Sequence, residues 1–435
     1  MPVNDARWAE RPAGAAGGEP VNDARAAERP AEAAGRVPVI AVVGIGADGW
    51  AGLSEPARVA ILAADTIIGS KRQLALLPET AADPRPWPSP IDPLVDELVA
   101  GTRGSVCVLA SGDPMLHGIG ATLARRLGAD GLAVHPHPSA FALACARLGW
   151  PEAEVELASA VGRPPEVVAA PLQPGRRIVA YAAGKGGAAG IARVLCERGF
   201  GPSRFVVLEQ LGGDGENVLD TTAADWGDTE ADPLHAVAIE CRAEPGAVVL
   251  GRTPGLPDDA YESDGALTKW PVRAVTLAAL RPGPNQLLWD VGAGSGSIAI
   301  EWLRAEPRAR AVAIESRPDR AARISANALR LGVPALAVRE GAAPAALEGL
   351  EPPDVVFVGG GLSAPGLLAA CWDALRPGGR LVANAVTLEG EHALQGARAA
   401  RGGTLTRLAI SHAEPLGSFE AWRAQIPVVQ WAVTR

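Results

Sequence analysis

Short apolar runs alternate with helical spacing along most of the chain. The run Val37 to Val43 meets Gly44-Ile45-Gly46, and Ala57, Ile61 and Leu62 then recur at helical intervals, which predicts a strand, a tight turn and a helix. A second such unit runs from Ser105 to Ala110, turns through Ser111-Gly112-Asp113-Pro114 and continues as a helix around Ile119 to Leu127. Arg177 to Ala182, Arg204 to Leu208 and His235 to Glu240 read as further strands of the same α/β domain. Around Val248 to Asp264 the pattern lapses into turn residues suited to an interdomain linker. A new cycle of strands then covers Gln286 to Val291, Ala309 to Glu315, Ala335 to Glu340, Pro353 to Val358 and Gly379 to Ala385, with helical segments between them.

This divides the chain into a tail over 1–36, a first domain over 37–250, a linker over 251–265 and a second domain over 266–435. The tail carries a direct repeat, Pro2 to Arg7 returning as Pro20 to Arg25, in a polar Ala/Pro/Gly-rich setting that predicts disorder. A length of 435 residues exceeds what one growing core accommodates, and 48% hydrophobic against 20% charged residues suits two buried α/β cores. The net charge of −9 opposes attraction to a phosphate backbone, so nucleic acid is a poor candidate partner. Cys107, Cys145, Cys196, Cys241 and Cys371 form no CxxC pair and read as reduced core residues. No apolar stretch approaches a membrane span or the core of a signal peptide, and the expectation is a soluble cytoplasmic protein.

The densest chemistry lies in Asp290-Val291-Gly292-Ala293-Gly294-Ser295-Gly296, a strand end followed by glycines at alternate positions and a helix start at Ser297. Glycine lets such a loop turn tightly and approach a ligand. Glu315, 19 residues beyond Gly296, ends the next strand and is placed to take both hydroxyls of a ribose. A nicotinamide fingerprint would need glycine at 297, where Ser297 stands. With Asp290 ahead of the first glycine, the acidic mouth suits the cationic S-adenosylmethionine better than a pyrophosphate. Gly359-Gly360-Gly361 occupies the place where methyltransferases of nucleobase amino groups carry Asn or Asp before Pro-Pro. It is either an open floor for a broad flat substrate or a flexible turn.

In the first domain the turns at Gly44-Ile45-Gly46 and at Ser111 to Pro114, with Gly118 and Gly120 beyond, would form a cleft for a nucleoside or cofactor. Asp113 reads equally as a helix N-cap with Pro114 at the first helical position. His135 and His137 flank Pro136 with no third ligand near in sequence, which favours a surface loop over a metal site; His117, His235, His392 and His412 have no visible partner. No metal is expected. No GxSxG or HExxH motif occurs.

Taken together, the two halves resemble the decarboxylating precorrin-6Y C5,15-methyltransferase family of cobalamin biosynthesis, over residues 37–435. The first half is similar to the tetrapyrrole methylases through Val43 to Gly49, Gly52-Leu53-Ser54, Ala64-Asp65, Ser111 to Pro114 and Ala146 to Pro151. The second is similar to the C15-methylating decarboxylases through Leu267-Thr268-Lys269, Val272 to Thr276, the Asp290 loop and Leu375 to Gly379. The resemblance implies a two-lobed methylase domain followed by a Rossmann-like one, each with an S-adenosylmethionine site. It assigns Gly44, Gly46, Asp113 and Gly118 to the first site, and Thr268, Gly292, Ala293, Gly294, Ser295, Gly296, Glu315 and Gly341-Ala342-Ala343 to the second. The implied reactions are methylation of precorrin-6B at carbons 5 and 15 and loss of carbon dioxide from the ring C acetate, giving precorrin-8. By analogy the enzyme is a homo-oligomer.

Three departures stand out. Relatives commonly read Gly-Asp-Ala where this chain has Gly341-Ala342-Ala343, so adenine recognition falls to backbone. They often read Ser-Leu-His-Gly-Arg where it has Ser159-Ala160-Val161-Gly162-Arg163, and the tail has no counterpart. Lys269 and Arg273, at a predicted helix start, are the candidate cations for the substrate's carboxylates, against a solvated helix start. The alternative reading is a methyltransferase of another small molecule whose first domain only binds a cofactor or macrocycle.

Overall fold

The computed structural model describes residues 39–101, 104–265 and 267–435. The repeat-bearing tail and the first residues of the opening apolar run lie outside the described residues.

In the first lobe the elements run β1 (Ile40–Ile45), α1 (Glu55–Leu62), β2 (Thr66–Gly69), α2 (Lys71–Ala75), β3 (Asp83–Pro86), α3 (Asp92–Ala100), β4 (Val106–Ser111), α4 (Ile119–Leu127), β5 (Leu132–His135) and α5 (Ala140–Leu148). The strands make a parallel sheet in the order β3-β2-β4-β1-β5. Its central strands are continuous apolar runs, as burial on both faces requires. The second lobe holds β6 (Val155–Ser159), β7 (Arg177–Ala183), α6 (Gly187–Glu197), β8 (Arg204–Glu209), β9 (Asn217–Thr222), α7 (Ala223–Trp226) and β10 (Leu234–Glu240). Its order is β6-β7-β10-β8-β9, and only β6 and β7 pair in parallel, so the alternation seen in the sequence does not extend to a parallel sheet here.

The second unit comprises α8 (Trp270–Leu280), β11 (Leu287–Val291), α9 (Ser297–Ala305), β12 (Arg310–Glu315), α10 (Pro318–Arg330), β13 (Ala337–Glu340), β14 (Val355–Val358), α11 (Leu367–Ala374), β15 (Arg380–Ala385), α12 (Leu388–Arg401), β16 (Thr404–Leu408), the hairpin β17 (Ser411–Leu416) and β18 (Phe419–Ala424), and β19 (Val428–Thr434). The sheet order is β13-β12-β11-β14-β15-β19-β16, with β19 antiparallel to both neighbours. β11 is buried throughout: Leu287, Trp289 and Val291 face one core, and Leu288 faces the other.

The stretch expected to be a linker is folded into this unit. Leu250, Leu256, Ala260 and Tyr261 share a core with Leu288, Ile298 and Trp302. α9, buried from Ser297 to Arg304, holds that stretch from inside. Glu301 accepts from the Gly255 and Leu256 amides at 2.6 and 3.0 Å, while Arg304 donates to the carbonyls of Leu250 and Gly251 at 2.9 and 3.2 Å. The Gly/Pro-rich composition marks turns correctly and says nothing about their depth. Among the described residues no helix is long and apolar enough to cross a membrane.

Candidate active sites

Strand order in the second unit reverses between β11 and β14, which opens a crevice at their carboxyl ends. Gly292, Gly294 and Gly296 line the turn into α9 with φ of 72°, 61° and 78°, a left-handed backbone that side chains disfavour. A β-carbon on Gly292 would lie 2.8 Å from the nitrogen and Cα of Gly360. The triglycine after β14 therefore serves as the surface on which the first glycine loop rests, joined by the Gly359 amide donating to the Val291 carbonyl at 2.9 Å.

Asp290 is buried, and its Oδ2 accepts from the Ala299 amide at 3.1 Å, while Oδ1 has no partner among the described residues. Ser295 Oγ is likewise buried and unpartnered. Glu315, at the end of β12, takes the Gly294 amide at 2.9 Å on Oε2 and the Arg317 amide at 3.0 Å on Oε1. The Ser316 hydroxyl also donates to Oε1 at 3.4 Å, which leaves the carboxylate's spare lone pair on Oε2 for a further hydroxyl. Glu315 also fixes the neighbouring strand end, its carbonyl accepting from Gly341 at 2.9 Å, so Gly341-Ala342-Ala343 stands beside the loop with Ala342 exposed. Unpartnered buried oxygens on a glycine cradle, with an acid at the next strand end, fit a polar cationic nucleoside.

The first unit has a cavity of about 610 Å³ between its lobes, with Gly46, Ser111, Gly112 and Gly118 on one wall and Tyr181 and Ala182 on the other. The two glycine turns interlock, since a β-carbon on Gly44 would fall 2.2 Å from the Gly112 carbonyl oxygen. Arg72 also lines the cavity and donates to Ser111 Oγ at 3.4 Å. Burial lowers its pKa, as expected for a cation drawn out of water.

The family model for precorrin methyltransferase domains matches residues 259–435, and that for tetrapyrrole (corrin/porphyrin) methylases matches residues 39–226. A Sinorhizobium sp. protein named precorrin-6Y C(5,15)-methyltransferase (decarboxylating) is 45% identical over 397 residues, which is 91% of this chain and 96% of the relative. Its namesake in Mycobacterium tuberculosis (strain ATCC 25618 / H37Rv) is 46% identical over 401 residues, 91% of this chain and 100% of that one. The chain belongs to the precorrin-6Y C5,15-methyltransferase (decarboxylating) family. A crystal structure of the C-terminal domain of precorrin-6Y C5,15-methyltransferase from Rhodobacter capsulatus is 46% identical, covers 43% of this chain and 100% of that chain, and has a TM-score of 0.41. Membership makes this chain a methyltransferase, with S-adenosylmethionine as the implied methyl donor, and its fold is a tetrapyrrole methylase domain followed by a Rossmann-like methyltransferase domain.

Within this family member the structure gathers Gly292 to Gly296, Glu315 and Gly341 to Ala343 at one crevice, and Gly46 and Gly118 at the other. Thr268 precedes α8, and its carbonyl accepts from Arg273. Lys269 is half exposed, with Nζ 3.6 Å from Asp258.

Arg273 does not stand at the entrance as a substrate cation. Its side chain is fully buried: Nε donates to Glu301 at 2.5 Å, the two amino groups reach Asp258 at 3.3 Å and the carbonyls of Thr268 and Leu256, and the guanidinium lies 4.8 Å from the Tyr261 ring centre. Its donors are consumed internally, and the solvated helix start fails for the same reason.

Two further expectations change. Asp113 is not an N-cap, because α4 begins only at Ile119; its Oδ1 accepts from the Met115 amide at 2.7 Å in a local turn. His137 is not on a surface loop but packs beneath Gly44 and Gly46, with Nε2 3.1 Å from Asp48 Oδ2. Arg72 gives no signal in the sequence and His137 a misleading one, because the partners of both come from distant sequence. No group of three metal-ligating side chains occurs among the described residues.

Burial, joined by the nearby Glu315 charge, pushes Asp290 up to about 7. A raised acid contributes stability that is complete below its unfolded value and lost as pH rises through its folded one. Asp290→Asn is therefore expected to melt higher than the parent, by a margin that widens from about pH 4 to about pH 7 and then levels. A cation beside Asp290 favours the ionised form, so cofactor affinity at this crevice should rise by up to about tenfold per pH unit until about pH 7. Calorimetry across that range checks both slopes, and a pH-independent affinity in the parent protein would remove Asp290 from the site.

Proposed function

We propose that this chain converts precorrin-6B to precorrin-8, using one S-adenosylmethionine site in each unit. The second unit methylates carbon 15 and removes carbon dioxide from the ring C acetate; the first methylates carbon 5. The observation that carries this reading is the presence of two separate glycine-walled crevices on one chain, one between the two lobes of the first unit and one at the strand ends of the second unit's sheet.

A sulfonium supplies an electrophilic methyl group whose leaving thioether is neutral, so the protein's task is alignment. Gly44 and Gly46 hold the first wall open. Asp113 and Gly118 shape the loop over it. In the second unit Gly292, Ala293, Gly294, Ser295 and Gly296 cradle the cofactor, Asp290 faces its positive end, Glu315 takes the ribose, and Thr268 with Ala342 and Ala343 flanks the base through backbone. Lys269 is the remaining entrance cation for a substrate carboxylate. For decarboxylation, a dry site that holds the acetate without further stabilising its charge lets the electrons enter the conjugated ring.

Neither step requires a metal or a nucleic acid. Five free cysteines support a reducing cytoplasmic setting, and the assembly is taken to be a homo-oligomer. Mass spectrometry of precorrin-6B after incubation with enzyme and S-adenosylmethionine tests the reading: two methyl gains and one carbon dioxide loss are expected. One methyl gain without decarboxylation would refute it and favour a first unit that only binds.

A further inference from the structure

The cleft of the first unit contains few groups able to take a proton. Its titratable lining residues are Arg72, His117, Tyr181 and His235. Arginine stays charged at any relevant pH. The Tyr181 hydroxyl accepts from the Phe141 amide at 3.1 Å, and burial raises its pKa. His235 has Nδ1 bound to the Asp232 carbonyl at 2.7 Å, while its Nε2 is sealed from solvent. That leaves His117, an exposed imidazole in the loop between β4 and α4.

His117 is held in an unusual way. Its φ of 56° lies in the left-handed region, which non-glycine residues seldom occupy. The loop around it is tight: a β-carbon on Gly118 would come within 2.5 Å of the Pro114 carbonyl oxygen. The imidazole meets the edge of Tyr181 from the opposite lobe, with ring centres 6.3 Å apart and planes at 81°. Backbone strain at a cleft residue persists when the surroundings over-determine it, and such residues concentrate at reacting centres.

We propose that His117 is the catalytic base of the first unit, accepting the proton that the macrocycle sheds when carbon 5 is methylated. The inference rests on the assignment of carbon 5 methylation to this unit. In the step, an electron pair of the conjugated ring forms the new bond to the methyl carbon, and the methyl–sulfur pair returns to sulfur. The cationic adduct then loses one proton, whose bonding pair restores the conjugation and which passes to the free imidazole nitrogen.

The surroundings favour a neutral base. Partial desolvation by the cleft walls and the positive charge of Arg163 from the second lobe lower the basicity of His117, Tyr181 faces it as a neutral phenol, and the nearby acid of its own loop, Asp113, is engaged by the Met115 amide. The carbon 5 rate should accordingly fall below the ordinary histidine value near pH 6.5, as the imidazole protonates.

The left-handed backbone provides the test. Asparagine and glycine both accept φ near 56° yet cannot act as bases at neutral pH. Full-length His117→Asn and His117→Gly, given precorrin-6B and S-adenosylmethionine, should accumulate the singly methylated, decarboxylated product. Carbon 5 methylation should fall by about 100-fold or more and lose its acidic limb, with cofactor binding at two sites intact. Added imidazole should restore part of the rate in the glycine variant. Both variants methylating carbon 5 at the parent rate with the parent pH profile would overturn the proposal while leaving the domain assignment standing. A parent enzyme that never methylates carbon 5 would overturn the assignment itself, and this inference with it.

Discussion

Arg273→Ala is expected to destabilise the second unit by about 3–5 kcal/mol, the usual consequence of removing one member of a buried, hydrogen-bonded ion pair. Glu301 would keep the Gly255 and Leu256 amides and the Tyr261 hydroxyl, at 2.9 Å, yet lose its guanidinium where both side chains are buried. The carbonyls of Leu256 and Thr268 would lose their donor as well. Thermal unfolding of the full chain reads the effect, and Arg273→Lys should recover little, because one ammonium cannot reach partners spread around a planar fork. An unchanged melting point with a raised KM for precorrin would return Arg273 to the entrance.

If each unit holds one cofactor as proposed, Gly292→Ala should reduce the stoichiometry from two per chain to one and lower carbon 15 methylation by more than about 100-fold, while the first unit continues to bind. Two effects add. A left-handed φ of 72° costs a side chain about 1–2 kcal/mol, and the new β-carbon would sit 2.8 Å from the Gly360 backbone, which has no flexible end to yield. Isothermal titration of the variant with S-adenosylhomocysteine decides the matter, and two full-strength sites would show that the crevice is not where the cofactor binds.

How much of this was legible depended on how local the cause was. Gly292, Gly294 and Gly296 announce their loop because the backbone demand is met within one turn of chain, β11 announces itself as a buried run, and β12 by its apolar centre Ala311 to Ile314. The margin strands β3 and β9 do not announce themselves, for the opposite reason. β3 contains two prolines and is exposed throughout, and most of β9 is exposed, so neither carries a continuous apolar run. The errors at Arg273 and His137 share one origin. Glu301 lies 28 residues from Arg273, and Asp48 lies 89 residues from His137, so the burial of each is decided by tertiary partners that composition and spacing do not reveal.

The folding of residues 250–261 into the second core changes where the protein can be divided. A fragment beginning at 266 would lack Leu250, Leu256, Ala260 and Tyr261, and would leave Glu301 and Arg304 with acceptor and donor groups facing a void. A self-sufficient second half has to begin upstream of Leu250, next to the last strand of the first unit, β10, which ends at Glu240. The place that looks most like a seam in the sequence is the one that a dissection of the two activities must leave uncut.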